Sequence, residues 1–113
     1  MQHELKLQPR FFDFIKNGTK RIELRLNDEK RQQIKIGDTI KFCREPDLQT
    51  TLTAQVVGLL HYPSFADLVA DFDIDILADH SMTKAELLAA LSQFYTPAAQ
   101  AQYGVVGIRL QLR

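Results

Sequence analysis

The sequence predicts an α+β fold, a small mixed β-barrel of about five to six strands flanked by two to three helices. Three observations lead to this prediction. Several short segments alternate apolar and polar residues with the period of two that is typical of strands. Glycine and proline mark turns between these segments, and other segments combine a capping residue with apolar residues at helical spacing. Short strands with glycine-marked turns favour a mixed barrel over a parallel sheet.

Length and composition define the class of protein. The chain has 113 residues, and we expect residues 1–113 to form a single domain. Its composition, 45% hydrophobic and 25% charged, is typical of globular proteins and argues against disorder. The sequence lacks an apolar run of the roughly 20 residues that span a bilayer, and its first residues do not resemble a signal peptide. We therefore expect a cytoplasmic protein with no membrane partner.

Two further features concern metals and anionic ligands. The single cysteine, Cys43, excludes an internal disulfide and a cysteine-rich zinc site, and we expect no metal and no cofactor. Residues 1–47 contain eleven Lys and Arg against eight Asp and Glu, whereas residues 48–113 contain three against six. This uneven charge favours an anionic ligand held locally over extensive binding of phosphates.

The first half of the chain predicts strand, helix, strand and strand. Alternation over 5–7 indicates a strand, and Pro9 can open a helix that ends at Gly18, because glycine tolerates the left-handed conformation. Alternation resumes over 20–26, and a polar loop follows. The turn at Gly37 and Asp38 then leads into a strand over 39–43.

The second half predicts a long strand, two helices and a final strand. The β-branched segment 50–60 indicates a strand that bends at Gly58. Ser64 resembles the start of a short helix, and Thr83 with Glu86 forms a capping box for a helix from Lys84 to about Phe94. Segment 95–97 ends that helix, and alternation from Tyr103 to Leu112 indicates the last strand.

The strand over 20–26 carries the first feature of chemical interest. A period of two places Arg21, Glu23 and Arg25 on one face, opposite aliphatic residues such as Ile22 and Leu24. Arginine binds phosphate or carboxylate, and glutamate accepts hydrogen bonds from amino or hydroxyl groups. The same residues could instead form a surface ion pair on an exposed sheet face. Spacing alone favours the surface ion pair.

Four blocks of residues resemble the ASCH domain family within the PUA-like superfamily. They are Gly18-x-Lys20-x-x-Glu23-x-Arg25, the Gly37-Asp38 turn, Tyr62-x-Ser64-Phe65-x-x-Leu68, and Tyr103-Gly104-Val105-Val106-x-Ile108. The blocks occur in the family's order and span nearly the whole chain. The resemblance implies a β-barrel flanked by helices, with a cleft in which the residues of the first block gather.

The resemblance also implies a function, the binding of RNA or of a nucleotide-like ligand in RNA metabolism or translation. The ligand-binding residues that we predict are Lys20, Arg21, Glu23, Arg25, Tyr62 and Tyr103. The two tyrosines are candidates for stacking on a base. Phe65, Phe72, Phe94 and Tyr95 are predicted to lie in the core. We expect Lys20 to contribute little to stability, because charges gathered in a functional cleft are seldom optimised for folding.

Two alternative functions remain open. One branch of the superfamily hydrolyses N4-acylated cytidines and uses a lysine, a threonine and a glutamate. In this sequence Lys20 matches the lysine. Glu23 occupies the position of the threonine, and Asp79 or His80 occupies the position of the glutamate. The resemblance therefore implies Lys20, Glu23 and His80 as candidate catalytic residues of an amidohydrolase or a ribonuclease, and whether the protein is an enzyme stays open. The acidic stretch 67–79 would instead suit a protein-interaction module.

Overall fold

The computed structural model describes residues 1–113, with five strands, five short helices and one 3₁₀ turn. The strands are β1 (Gln2–Leu7), β2 (Ile22–Leu26), β3 (Thr39–Arg44), β4 (Thr51–Tyr62) and β5 (Val105–Leu112). The helices are α1 (Pro9–Lys16), α2 (Phe65–Ala70), α3 (Ile74–Leu77), α4 (Lys84–Ser92) and α5 (Pro97–Tyr103), and the 3₁₀ turn is Arg31–Gln33. None of these helices combines the length and the apolar character that crossing a membrane requires.

The strands form one mixed sheet in the order β1-β3-β4-β5-β2. β1 pairs with β3 in parallel, and the other neighbours are antiparallel. The sheet is a half-barrel whose free edges are β1 and β2. The Arg25 side chain joins these edges, because its Nη2 donates a 2.8 Å hydrogen bond to the Lys6 carbonyl. The α+β class and the barrel-like sheet are confirmed.

Hydrophobic residues pack on both faces of the sheet. Leu5, Phe42 and Ile108 pack with Phe12 and Ile15 of α1 in one cluster. The second cluster joins β2 to the helices on the other face; it includes Ile22, Leu24, Phe65, Leu68, Leu77 and Leu87. Strand β2 is buried along most of its length, Glu23 included, so a charged residue within it is removed from water.

The predicted ends of several elements are confirmed. Gly18 adopts φ 87° one residue beyond the C-cap of α1, in the left-handed region that glycine tolerates. The register of β4 against β5 shifts between Val56 and Gly58, which is the irregularity that the sequence indicated. At the start of α4 the Thr83 side chain accepts from the Glu86 N–H, and the Glu86 side chain accepts from the Thr83 N–H.

Two short helices, α3 and α5, were not among those that the sequence predicted. α3 is a single turn in an acidic segment, too short to show helical periodicity. The residues Thr96 and Pro97 mark the start of α5 as well as the end of the preceding segment. Thr96 caps α5 by accepting from the Ala99 N–H, and Pro97 occupies its first turn, where no N–H is required.

Candidate functional site

A cavity of about 240 Å³ lies between the edges of the half-barrel and helix α4. One wall comes from the end of β1 and the start of α1, including Lys6, Gln8 and Phe11, and the opposite wall from α4 and the residues after it. Lys20, Glu23 and Arg25 also line the cavity. The structure therefore brings three of the predicted site residues together.

Lys20 is buried at the base of this arrangement. Its side chain is folded back, and Nζ donates 2.7 Å hydrogen bonds to the carbonyls of Ile22 and Leu77. Nζ also lies 3.3 Å from Glu23 Oε1 and 5.8 Å from the centre of the Phe11 ring. Burial lowers the pKa of Lys20, although the Glu23 carboxylate opposes this effect. Three protein acceptors thus surround an ammonium group that has three N–H donors.

Glu23 is the buried anion that holds the two cations together. The register with β5 pairs it with Ile108 on the face that α1 covers. Its Oε2 accepts a 2.7 Å hydrogen bond from Arg25 Nε, and its Oε1 faces Lys20. Burial opposes ionisation, but the charges of Arg25 and Lys20 outweigh it, so the pKa of Glu23 is lowered. Both carboxylate oxygens are therefore engaged within the protein.

Arg25 retains donors that could reach a ligand. The guanidinium group has five N–H donors; one bonds Glu23, and another bonds the Lys6 carbonyl. Burial disfavours its charge, yet Glu23 and the adjacent Tyr95 side chain more than compensate, so the pKa of Arg25 is raised. Arg25 therefore remains charged beside the cavity, with hydrogen-bonding capacity left over.

The lining has an apolar majority and a small positive charge. Eight of its fourteen residues are hydrophobic. Lys6, Lys20 and Arg25 against Glu23 and Glu45 leave a formal balance of +1. This composition suits a small ligand that has an apolar surface and a polar or anionic edge.

The other predicted site residues do not line this cavity. Arg21 precedes β2, and its backbone N–H donates to the Ile76 carbonyl. The Arg21 side chain is exposed, whereas that of Glu23 is buried. The Tyr62 hydroxyl donates to Asp71 at 2.7 Å, which raises the pKa of Tyr62. Tyr103 ends α5. Arg21 was predicted by extending the strand period to the residue before β2, and at that position the side chain is exposed.

His80 does not line the cavity either. Its side chain is 82% exposed and lies beside Asp79, with Nδ1 3.5 Å from Oδ1. The N–H of Ser81 bonds Asp79 Oδ1 and lowers the pKa of Asp79 against the effect of burial. Neither residue lines the cavity, so it holds Lys20 and Glu23 but not the third member of the hydrolase set.

Sequence reasoning missed the aromatic residues after α4. Phe94 and Tyr95 were predicted to lie in the core, but both line the cavity, and Phe94 is 60% exposed. Phe94 is therefore not a core residue. Its spacing from Leu87 and Leu91 follows the apolar stripe of α4, which predicts burial. Phe94 lies beyond the end of α4, where its side chain stays exposed, and only the tertiary structure shows this.

The remaining charged groups form no metal centre. No set of His, Cys, Asp and Glu side chains in the structure is arranged to hold a metal ion. Within the acidic stretch, the exposed carboxylates of Asp67, Asp71, Asp73 and Asp75 lie on or beside α2 and α3. A protein partner for that surface stays a prediction.

Two solved structures of similar sequence share this fold. A crystal structure of the hypothetical protein PH0355 is 34% identical, with a TM-score of 0.87 and full coverage of both chains. The solution NMR structure of protein PF0455 from Pyrococcus furiosus is 32% identical, with a TM-score of 0.77 and coverage of 99% of this chain and 97% of that one. No curated protein matches the sequence.

A third structure resembles the protein in fold alone. It is the S128A mutant of ZmASCH from Zymomonas mobilis, 12% identical with a TM-score of 0.60, and the match covers 96% of this chain and 66% of that one. The family model described as the ASCH domain matches residues 5–112. The chain therefore belongs to the ASCH domain family, which is part of the PUA-like superfamily.

Proposed function

We propose that the protein binds an RNA segment or a nucleotide-like molecule in the cavity beside Lys20, Glu23 and Arg25. ASCH domains are implicated in RNA binding. The observation that carries the proposal for this chain is the Arg25 guanidinium. It is charged, held by Glu23 and Lys6, and borders a largely apolar cavity with donors to spare.

The cavity volume limits what can enter. About 240 Å³ is slightly below the roughly 300–1,000 Å³ that is typical of sites for drug-sized ligands. The cavity therefore suits one nucleotide-sized unit and not a folded RNA element. A longer RNA would place one unit inside and the remainder along the outer surface.

The geometry supports binding better than hydrolysis. A lysine that acts as a general base must have a neutral amine with a free lone pair, whereas Lys20 Nζ donates to two carbonyls and faces Glu23. His80, the candidate acid, lies outside the cavity lining. Binding therefore stands as the proposed function, and hydrolysis as the alternative outcome of its test.

The test replaces one arginine inside the cavity and one outside. Arg25→Lys keeps the charge but loses the planar set of donors, so it should weaken binding of a short single-stranded RNA about tenfold or more. Arg21→Lys, the matched control, should leave affinity unchanged, because Arg21 lies outside the lining. Isothermal titration measures both, and chromatography of the same samples should show intact RNA. Equal affinities would contradict the proposed site, and product formation would favour hydrolysis.

A further inference from the structure

The aromatic ring of Phe94 at the cavity is exposed, and core packing does not explain its position. Phe94 is 60% exposed although it is one of the largest apolar residues in the chain. It follows the end of α4, and backbone bonds to the Leu91 carbonyl hold both Phe94 and Tyr95 in place. Its position is thus defined by the backbone while most of its side chain faces solvent.

Tyr95 places a second ring next to it. The centres of the Phe94 and Tyr95 rings are 6.4 Å apart at an interplanar angle of 55°. Tyr95 is more buried, packs against Phe65 with 5.3 Å between ring centres, and lies beside Arg25. The outer ring therefore rests against an anchored ring, which in turn adjoins the charged group of the site.

The cavity lining combines two kinds of chemistry. Phe94 and Tyr95 offer aromatic surface, and Arg25, which adjoins Tyr95, offers hydrogen-bond donors. A ligand that uses both must combine a flat apolar face with an edge of hydrogen-bond acceptors. Nucleobases have this combination, and single-strand binding proteins hold them by stacking on aromatic side chains.

We infer that Phe94, supported by Tyr95, stacks on one unpaired nucleobase whose edge faces Arg25. This inference rests on the proposed function and deepens it, because it names the base as the part of the ligand that the cavity recognises. A base held in a duplex has both faces stacked on its neighbours and cannot offer one to Phe94. The protein should therefore prefer single-stranded RNA and free nucleosides over duplex RNA.

The first experiment separates stacking from simple apolar contact. Phe94→Tyr keeps an aromatic ring and should retain wild-type affinity for a single-stranded RNA, whereas Phe94→Leu keeps apolar bulk and should lose at least about fivefold. Leu112→Ala, which alters an exposed apolar residue outside the lining, should change nothing. Phe94→Leu should also melt like the wild type, because an exposed ring contributes little to the core.

The second experiment uses the absence of tryptophan from the sequence. Phe94→Trp places the chain's one tryptophan at the cavity, and stacking on a base should quench the tryptophan emission when each of the four ribonucleosides is titrated. Ribose, which lacks a base, should not quench it. Leu112→Trp provides the control for collisional quenching and should respond to none of them.

The outcomes distinguish the inference from the proposed function. If wild type binds RNA but Phe94→Leu and Phe94→Tyr bind equally well, or Phe94→Trp is quenched no more than Leu112→Trp, the stacking inference is wrong while the RNA-binding function stands. If wild type binds neither single-stranded RNA nor any nucleoside, both fail. Loss of affinity in Phe94→Leu alone, together with quenching specific to position 94, supports both.

Discussion

Glu23 determines how two cations can be buried side by side. Removing a charge from water costs several kcal/mol unless a partner and hydrogen bonds compensate. Glu23 faces Lys20 at 3.3 Å and Arg25 at 2.7 Å, and the Ile22 and Leu77 carbonyls accept from the lysine. Lys20 is therefore integrated into the folded framework, and this geometry leads us to expect a larger contribution to stability than the sequence alone suggested.

Replacing Lys20 should consequently destabilise the protein. Lys20→Met removes the charge at similar volume and leaves two buried carbonyls without a donor, so the free energy of unfolding should fall by about 3 kcal/mol. Urea denaturation measures this change. Lys16→Met, an exposed lysine of α1, should shift it by less than about 0.5 kcal/mol. Equal effects of the two substitutions would contradict the structural role of Lys20.

Asp38 links stability to pH at another site. His3 Nε2 at 2.8 Å and the Lys35 N–H at 3.0 Å stabilise its carboxylate, and the pKa of Asp38 is lowered to about 2. Because the unfolded value is about 3.9, this stabilisation is complete above that pH and is lost as the pH falls towards 2.

Asp38→Asn should therefore matter at neutral pH but not in acid. The variant should melt below the wild type at pH 5 to 7, where the Asp38 carboxylate is ionised in both states. The difference in melting temperature should shrink between pH 4 and pH 2, because the Asp38 carboxylate is protonated first in the unfolded state and then, near pH 2, in the folded state. A difference that stays constant across this range would argue against the pKa as its cause.

At the scale of elements, β2 and α4 define the cavity from opposite sides. Strand β2 presents Glu23 and Arg25 on the face shared with β5 residues Ile108 and Val106. Helix α4 anchors Leu87 in the second hydrophobic cluster, and its end leads to Phe94. The capping box at Thr83 stabilises the start of α4, and neither Thr83 nor Glu86 lines the cavity.

Removing the cap should affect stability without affecting the site. Thr83→Ala loses the hydrogen bond to the Glu86 N–H and should lower the free energy of unfolding by roughly 1 kcal/mol. Thr83→Ser retains the hydroxyl, so its free energy of unfolding should be close to that of the wild type. Affinity for RNA, measured well below the melting temperature, should be the same in all three proteins. A loss of affinity as large as that in Arg25→Lys would contradict this prediction, because it would show that the start of α4 is coupled to the cavity.

For the whole molecule, charge balance predicts the salt dependence of binding. The sequence has 14 basic and 14 acidic residues, so extensive nonspecific attraction of RNA is not expected. Within the lining, Lys20 is committed to protein acceptors, which leaves Lys6 and Arg25 as cations that could contact phosphate. Few counterions should therefore be released when RNA binds.

Affinity for single-stranded RNA should fall with salt at a log-log slope of about −0.7 to −1.4, corresponding to one or two phosphate contacts. Lys6→Gln should reduce that slope by about 0.7 if its side chain contacts phosphate. Lys30→Gln, an exposed lysine outside the lining, serves as the control and should leave the slope unchanged. A slope steeper than about −3 would indicate a broad binding surface instead of the cavity.

The sequence by itself determined the fold class, the family and the start or end of several elements. Pro9 and Gly18 delimit α1, and Thr83 with Glu86 marks the start of α4. Gly58, a glycine within a β-branched segment, indicates the irregularity in β4. These signals are local, because a cap, a glycine turn or an alternating strand is encoded within a few consecutive residues. The ordered blocks that resemble the ASCH family extend the same local information along the chain.

Only the tertiary structure decided which of the predicted residues meet. Lys20 contacts the carbonyl of Leu77, which is 57 positions away, and Arg25 reaches Lys6 across the open edges of the half-barrel. It also separated His80 and Arg21 from the cavity and exposed Phe94, which the apolar stripe of α4 had suggested was buried. Periodicity shows which face of an element a residue occupies. What covers that face, and where the cover ends, depends on packing between segments distant in the chain.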